Sequence, residues 1–404
     1  MENKDLLLSS YEYHLPEEQI AQFPSIPAHN AKLMICSKKE DWEYLIEHKH
    51  FFNLPEILTE NHLLFLNRTK VFKARIPLKD IKIIRNSWKE LIIKEWEIFV
   101  YNIHDYNKFE CLVSDSKNFR PWSKIFFSNN IIFNSLEFTE NWILFEIDKS
   151  SNITIFDFLE KIGEMPLPPY IQYTKEKEQW YQTFFAEEIG SAAAPTASLH
   201  FTPQLVKELE EKKVWFQYLC LHVGLGTFKP IYEEHIEKQK LHFEPMIINN
   251  QIWEIIMQNK ESKKIFLPVW TTMIRYLESL PYIRKYLRKN HNEILQNLDE
   301  KTKNRWDKLT NKLSEWSTED FIPQQEIHQT SWEFIVKTRL FIRPWIQFLL
   351  VDELITNFHL PKSSLMMLIS AFMWRENLLK AYNTAINNNY KFYSFWDGMY
   401  IKKA

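Results

Sequence analysis

Lys264-Ile265-Phe266-Leu267-Pro268-Val269-Trp270-Thr271-Thr272 reads as a short apolar strand that runs out into a pair of hydroxyls. The same texture returns twice. Phe216–Val223 is apolar and leads to His222-Val223-Gly224-Leu225-Gly226, and Leu349–Thr356 leads to Asn357-Phe358-His359. His62–Leu66 is a fourth such run, followed by the polar turn Asn67-Arg68-Thr69-Lys70. Thr202-Pro203 opens a helix between them: threonine as N-cap, proline at the first helical position, and Leu205, Val206 and Leu209 along one face. Buried strands alternating with helices predict an α/β sheet, where ligand sites form beyond the polar strand ends.

From about Lys73 to Ser150 the texture changes. Short β-prone runs recur at Lys82–Ile84, Glu90–Ile93, Ile98–Tyr101, Phe109–Val113, Lys124–Phe127, Ile131–Phe133 and Trp142–Ile147, separated by Asn, Ser, Asp and Pro. That spacing predicts a small antiparallel barrel or sandwich. The span from Pro281 to Glu319 is charged and helical in pattern, and reads as an insertion.

The 404 residues suffice for two domains, or for one large domain with an insertion. A hydrophobic share of 45% against 25% charged provides a sizeable core and excludes wholesale disorder. Fifty basic and 52 acidic side chains leave a net charge of −2, which excludes nucleic-acid binding by overall field; any RNA contact needs a local basic patch. Cys36, Cys111 and Cys220 lie far apart with no C-x-x-C pair, which argues against a disulfide framework or a zinc site and for a reducing compartment. Leu365–Trp374 is interrupted by Ser370 and is too short to span a bilayer, and no long apolar signal segment opens the chain, so a soluble cytoplasmic protein is expected.

The motifs are more specific than the composition. Tyr13-His14-Leu15-Pro16-Glu17-Glu18-Gln19-Ile20-Ala21 is followed by Asn67-Arg68-Thr69-Lys70-Val71 with Ala74-Arg75, then by Met165-Pro166-Leu167-Pro168-Pro169-Tyr170-Ile171. Tyr181-Gln182-Thr183 precedes Ala193-Ala194-Pro195-Thr196-Ala197-Ser198-Leu199-His200-Phe201. His222-Val223-Gly224-Leu225-Gly226-Thr227-Phe228, His242 with Glu244, Thr271-Thr272 with Arg275, Glu278 and Ser279, and Thr356-Asn357-Phe358-His359-Leu360-Pro361 complete the set. In this order the clusters resemble the S-adenosylmethionine:tRNA ribosyltransferase-isomerase family of queuosine biosynthesis, across nearly the whole chain. The resemblance implies an α/β, mixed-sheet catalytic domain over residues 1–72 and 151–404, with an inserted small antiparallel β-barrel domain over 73–150 and a helical insertion over 281–319.

The implied reaction uses S-adenosylmethionine as a ribosyl donor. The aminomethyl group of a 7-deazaguanine at the tRNA wobble position attacks the ribosyl carbon beside sulfur. Rearrangement then expels adenine and methionine and leaves an epoxycyclopentane-diol. The chemistry needs a base for the amine and for the acidic C–H, an acid for adenine, and polar groups for the hydroxyls. His200, His222, His242 and His359 suit acid–base work near neutrality, with Glu278 as a carboxylate alternative. Thr196, Gly224, Gly226, Thr227, Thr271, Thr272 and Asn357 are the expected cofactor-binding set; equally, such residues cap helices and close turns. Asn67, Thr69, Lys70, Arg75 and Arg275 are the expected tRNA contacts, with Lys73, Lys79 and Arg343 as further cations. No metal is expected, and the partner is tRNA met by a monomer. The alternatives are another S-adenosylmethionine-dependent transferase acting on RNA, and a non-catalytic RNA-binding relative.

Two departures stand near these sites. Ser198 takes the place of a family glycine, and Gln239 that of a histidine. A third is global: five glycines and fifteen tryptophans, where glycine ordinarily contributes about 7% of residues. Trp42, Trp88, Trp122, Trp270, Trp345, Trp374 and Trp396 fall where the family pattern has glycine, two of them directly after proline. Glycine codons written as UGA and translated as tryptophan would produce both anomalies; genuine divergence is the alternative.

Overall fold

The computed structural model describes residues 3–41, 43–85, 90–113, 119, 121–127, 130–138, 142–224, 231–290, 295–296, 298–313, 328–329, 333–395 and 397–402. In chain order the elements begin with β1 (Lys32–Lys38), β2 (Tyr44–His50), α1 (Leu54–Ile57), β3 (His62–Asn67) and β4 (Thr69–Val71). There follow β5 (Arg75–Ile84), β6 (Glu90–Ile103), β7 (Lys108–Val113), β8 (Lys124–Phe126), β9 (Ile132–Phe138), β10 (Ile143–Ile147) and α2 (Ile155–Ile162). The next stretch carries β11 (Glu188–Ser191), α3 (Pro203–Glu211), β12 (Trp215–Leu221), β13 (Glu244–Asn249), α4 (Ile252–Glu261) and β14 (Ile265–Pro268). The chain closes with α5 (Thr271–Asn290), α6 (Glu300–Thr310), β15 (His328–Gln329), β16 (Glu333–Thr338), β17 (Glu353–Asn357), α7 (Ser364–Met373), α8 (Arg375–Asn387) and β18 (Gly398–Lys402).

The architecture is mixed α/β with several sheets. A six-stranded sheet has the order β14-β3-β12-β13-β16-β15, parallel among the first three strands and antiparallel beyond them. Every residue of β3 is buried, as expected for a parallel strand covered on both faces. A four-stranded sheet, β17-β18-β1-β2, packs into the same core. The two sheets meet at one bridge, Val269 beside Ile355, where the Trp270 N–H donates to the Ile355 carbonyl at 2.7 Å. That seam sets the end of β14 beside the end of β17.

Strands β5 to β10 close into a barrel of order β10-β7-β6-β5-β8-β9, antiparallel at every step. Burial alternates along β10, so one face is core and the other meets solvent. Phe109, Phe133 and Phe145 fill the interior, and Phe158 of α2 packs on Phe133 with ring centroids 4.7 Å apart.

Several elements differ in extent from the sequence pattern. The runs Glu90–Ile93 and Ile98–Tyr101 are one long strand, β6, because its pairing with β5 extends from Arg75–Phe99 to Ile84–Glu90. The helical stretch expected from Pro281 begins ten residues earlier, since α5 runs from Thr271 through Pro281. A proline inside a helix costs about 3 kcal/mol. Here Leu277, Leu280, Ile283 and Leu287 bury the helix around it, and that packing offsets the cost. As predicted, Thr202 caps α3, its hydroxyl accepting the Leu205 N–H at 3.3 Å.

Candidate functional site

Asn67 ends β3 with its side chain completely buried. Its amide nitrogen donates to the Leu221 carbonyl (2.9 Å) and to Thr272 Oγ1 (3.4 Å). Its oxygen accepts the N–H groups of Thr69 and Leu221, both at 3.2 Å. Thr69, equally buried, joins Ser191 Oγ at 2.6 Å and His222 Nδ1 at 2.9 Å. The ring of His222 fits only because Gly190 has no Cβ, which would lie 2.6 Å from it. Burial lowers the His222 pKa to about 4.

A cavity of about 360 Å³ opens at the seam between the sheets, lined by Thr196, Trp270, Asn357, His359, Tyr170 and Tyr393 among others. Thr196 Oγ1 donates to Asn357 Oδ1 at 2.8 Å, and Asn357 Nδ2 lies 3.4 Å from His200 Nε2. His200 Nδ1 faces the Ala28 carbonyl at 3.3 Å, which assigns its proton to Nδ1 and leaves Nε2 to accept. The imidazole is buried and stacks on Phe51 with centroids 4.2 Å apart, so His200 stands behind Asn357 rather than lining the cavity itself. His359 is held by Thr356 Oγ1 at 2.8 Å from Nε2, by its N–H donating to Tyr382 Oη at 2.9 Å, and by Tyr13 Oη donating to its carbonyl at 2.5 Å. Burial lowers its pKa to about 3.

A third group gathers around Glu244, the fully buried first residue of β13. Arg275 of α5 pairs with one carboxylate oxygen, and the other receives His242 Nε2 at 3.2 Å and the Gly224 N–H at 3.4 Å. His242 keeps 28% of its side chain exposed. It is thus a histidine oriented by a buried carboxylate, with one face open to solvent. Gly226 and Thr227 lie outside the described residues.

Burial corrects several readings made from sequence. Asn67 and Thr69 have no exposed surface, and Arg275 is committed to Glu244, so these three are internal struts rather than phosphate contacts. Lys70 is exposed, whereas Arg75 is tied to Glu97 at 2.6 Å. Glu278 is no free carboxylate: it accepts the N–H groups of Leu349, Leu350 and Val351, each at 2.9 Å, and so fixes the approach to β17. Burial pushes its pKa up, against those three bonds. Thr272 bonds Asn67, while Thr271 Oγ1 is buried with no partner among the described residues. Sequence reasoning passed over Ser191 and quoted Glu244 beside His242 without giving it a role. The spacing His242-Phe243-Glu244 was the available signal for the latter, because residues two apart on an extended segment share a face.

A groove of about 490 Å³ lies elsewhere, lined by Lys238, Lys240, Lys312, Arg339 and Arg343, with Glu237 as the one acid among the described lining residues. It is larger than the seam cavity, and none of the candidate histidines lines it; His359 lines the seam cavity, whereas His242 lines neither.

Two predictions follow from burial. An unfolded histidine takes its proton near pH 6.5, whereas folded His222 and His359 do so near 4 and 3. Below 6.5 the unfolded chain therefore binds protons that the folded chain refuses. The contribution of these residues is fully present above about pH 6.5 and falls by up to about 1.4 kcal/mol per pH unit for each histidine down to its folded value. Urea denaturation at pH 7 and pH 5 should show a shallower loss for His222→Gln than for the parent; an equal loss assigns the acid sensitivity elsewhere. Glu278→Ala, which strands three buried N–H groups, should cost about 3 kcal/mol or more in the same assay, and Glu278→Gln, which keeps an acceptor oxygen, clearly less. Unchanged stability with lost turnover would instead make Glu278 a reacting group.

Comparison with known proteins covers nearly the whole chain. The family model described as "Queuosine biosynthesis protein" matches residues 8–401. The chain is 36% identical over 396 residues to a protein named S-adenosylmethionine:tRNA ribosyltransferase-isomerase from Sulfurihydrogenibium sp., covering 98% of this chain and 99% of that one. It is 36% identical over 398 residues to a protein of the same name from Thermosipho melanesiensis, again covering 98% and 99%. Among solved structures it is similar to an S-adenosylmethionine tRNA ribosyltransferase from Thermotoga maritima, with 24% identity, 97% and 99% coverage and a TM-score of 0.47.

Proposed function

The chain belongs to the queuosine biosynthesis protein family, and from that premise we propose that it is an S-adenosylmethionine:tRNA ribosyltransferase-isomerase. It moves the ribosyl moiety of S-adenosylmethionine onto a 7-aminomethyl-7-deazaguanine at the tRNA wobble position, giving epoxyqueuosine, adenine and methionine. The observation that carries the reading is a match of this family over residues 8–401, with the motif residues gathered at the strand ends.

Within the site, His242 is the acid–base group. Glu244 orients its ring, Arg275 balances the buried carboxylate, and the exposed side of the imidazole can exchange a proton with substrate. His359 and His222 stay neutral near pH 7, their pKa values being too low for strong bases, and serve as hydrogen-bonding partners. Thr196, Asn357 and Thr271 hold S-adenosylmethionine in the seam cavity, with Gly224 beside His242. The barrel of β5 to β10 is an inserted domain, supported by its separate hydrophobic core. The tRNA backbone lies along the groove of Lys238, Lys240, Lys312, Arg339 and Arg343, with Lys70 as an outlying contact. A chain with a net charge of −2 needs such a local patch.

Adenine and methionine should appear together when the protein meets S-adenosylmethionine and tRNA bearing the aminomethyl base. S-adenosylhomocysteine in their place would identify a methyltransferase. His242→Ala should lower adenine release by about 10²–10⁴-fold with little change in melting temperature. For RNA, Lys238→Ala with Lys312→Ala should flatten the salt dependence of tRNA affinity by about one unit per lost phosphate contact. Arg75→Ala should change it less, because Glu97 already engages that guanidinium. An unchanged slope in the Lys238/Lys312 variant would remove the groove from the interface.

A further inference from the structure

Eleven described residues other than glycine hold a positive φ. Six are asparagine or lysine with φ between 45° and 61°, the left-handed region where such residues end helices and turns. Four are tryptophan: Trp122 at 68°, Trp270 at 80°, Trp345 at 76° and Trp374 at 68°. A bulky side chain there is a genuine outlier. The eleventh, Tyr393 at 76°, is buried and packs its ring on Tyr170 at 4.6 Å. The other described tryptophans, Trp253 and Trp306 among them, avoid positive φ, and so does every described glycine.

The fold sets these four conformations. Trp122 N–H donates to the Ser135 carbonyl at 2.7 Å, Trp270 N–H to Ile355 at 2.7 Å and Trp374 N–H to Ser370 at 2.8 Å. Arg343-Pro344-Trp345-Ile346 is a turn closed by Ile346 N–H on the Arg343 carbonyl at 3.2 Å. Proline second and a positive φ third define a type II turn, whose third position calls for glycine; Pro121-Trp122 repeats the arrangement. Trp374, between α7 and α8, combines φ 68° with ψ 146°, close to a region populated essentially by glycine alone. Trp345 and Trp374 pack edge to face with ring centroids 5.2 Å apart, yet both residues still meet solvent. The Trp122 and Trp345 residues are 67% and 62% exposed, and Trp374 is 37% exposed. By contrast Trp253 and Trp306 are fully buried and joined by a 2.8 Å hydrogen bond.

We propose that positions 122, 270, 345 and 374 carry glycine in the working protein, each encoded by a UGA codon that the cell reads as glycine, and that at position 270 the space taken by the indole belongs to the substrate. The composition agrees, with five glycines and fifteen tryptophans in 404 residues. Trp42, Trp88 and Trp396, which share the sequence pattern, lie outside the described residues.

Position 270 is where the change reaches the site, and this half of the proposal rests on the transferase reading above. Trp270 is the buried member of the four and lines the seam cavity with Thr196, Asn357 and His359. Directly after it begins α5, a 20-residue helix whose first residue, Thr271, has a buried hydroxyl without a partner among the described residues. A helix start favours an anion, and an unpartnered hydroxyl supplies a hydrogen bond. Together they fit the carboxylate of the methionine portion of S-adenosylmethionine. The indole lines the cavity and directly precedes Thr271, so its removal would extend the cavity towards these groups.

The codons and the mass of the native protein test the first half. UGA at the four positions, with glycine in the corresponding peptides from the organism's own cells, is expected; UGG, or tryptophan in the peptides, overturns it. In the chain as written, Trp122→Gly, Trp345→Gly and Trp374→Gly should each raise the melting temperature by about 1–3 °C by removing a strained φ. A fall at all three would overturn the conformational argument. For position 270, equilibrium dialysis of S-adenosylmethionine against the Trp270→Gly protein and the protein as written should show at least about tenfold tighter binding by the variant. Equal or weaker binding, with a melting temperature lowered as by any emptied core site, overturns the substrate half. Tighter binding in a four-site glycine protein that releases no adenine with its tRNA would uphold the proposal and count against the transferase reading.

Discussion

One buried amide holds the strand ends in register. Asn67 uses both of its donors and both lone pairs, on β4, on β12 and on α5. An amide in this position with any partner missing would leave a buried polar atom at a cost of about 1–3 kcal/mol. The neighbouring polar side chains inherit their places from it. Thr69 is turned towards Ser191 and His222, Ser191 takes the Val223 N–H at 2.8 Å, and Thr272 starts its helix against Asn67 itself. The network is internal, and it fixes where the ends of β3 and β12 and the start of α5 stand relative to one another.

The cavity lies at the seam between the sheets because the bridge at Val269 and Ile355 is where two strand ends meet. On one side stand Thr271 and Thr272, on the other Thr356, Asn357 and His359. Electrostatics then divides the histidines. Burial holds the pKa values of His222 and His359 down, because a charged ring there loses its solvation, whereas His242 has both a carboxylate partner and open surface. Glu244 can be fully buried as an anion because Arg275 is buried against it; removing either partner alone would leave an uncompensated charge.

Much of the fold was legible in the chain. Apolar runs located β3, β12 and β14, the threonine–proline pair located the start of α3, and alternating runs located the barrel strands. The polar residues at the strand ends were legible as a group, but their burial and bonding were not. Asn67 and Thr69 adjoin Arg68 and Lys70 in sequence and Arg275 is itself a cation, which suggested RNA; nothing in a linear pattern says that a polar side chain is buried and bonded internally. Glu278 resembled a catalytic acid for the same reason, its three backbone partners lying some seventy positions further along the chain. The basic groove was hidden because its cations come from three separate segments, around residues 238–240, 312 and 339–343.

Glycine serves a protein in two separable ways, and this chain separates them. At Gly190 and Gly398 the missing Cβ matters: one would lie 2.6 Å from the His222 ring and the other 2.8 Å from Phe51. Neither position needs a positive φ. The second use, access to φ values closed to bulky residues, falls here on tryptophans at a type II turn, at a helix–helix junction and at the end of β14. The tightly packed glycines are intact while the conformational ones read as tryptophan, and the backbone at those positions still adopts the shape that glycine permits. A fold that keeps the conformation and the closing hydrogen bonds at such sites, yet leaves two of the four rings mostly in solvent, has been shaped around residues without side chains there.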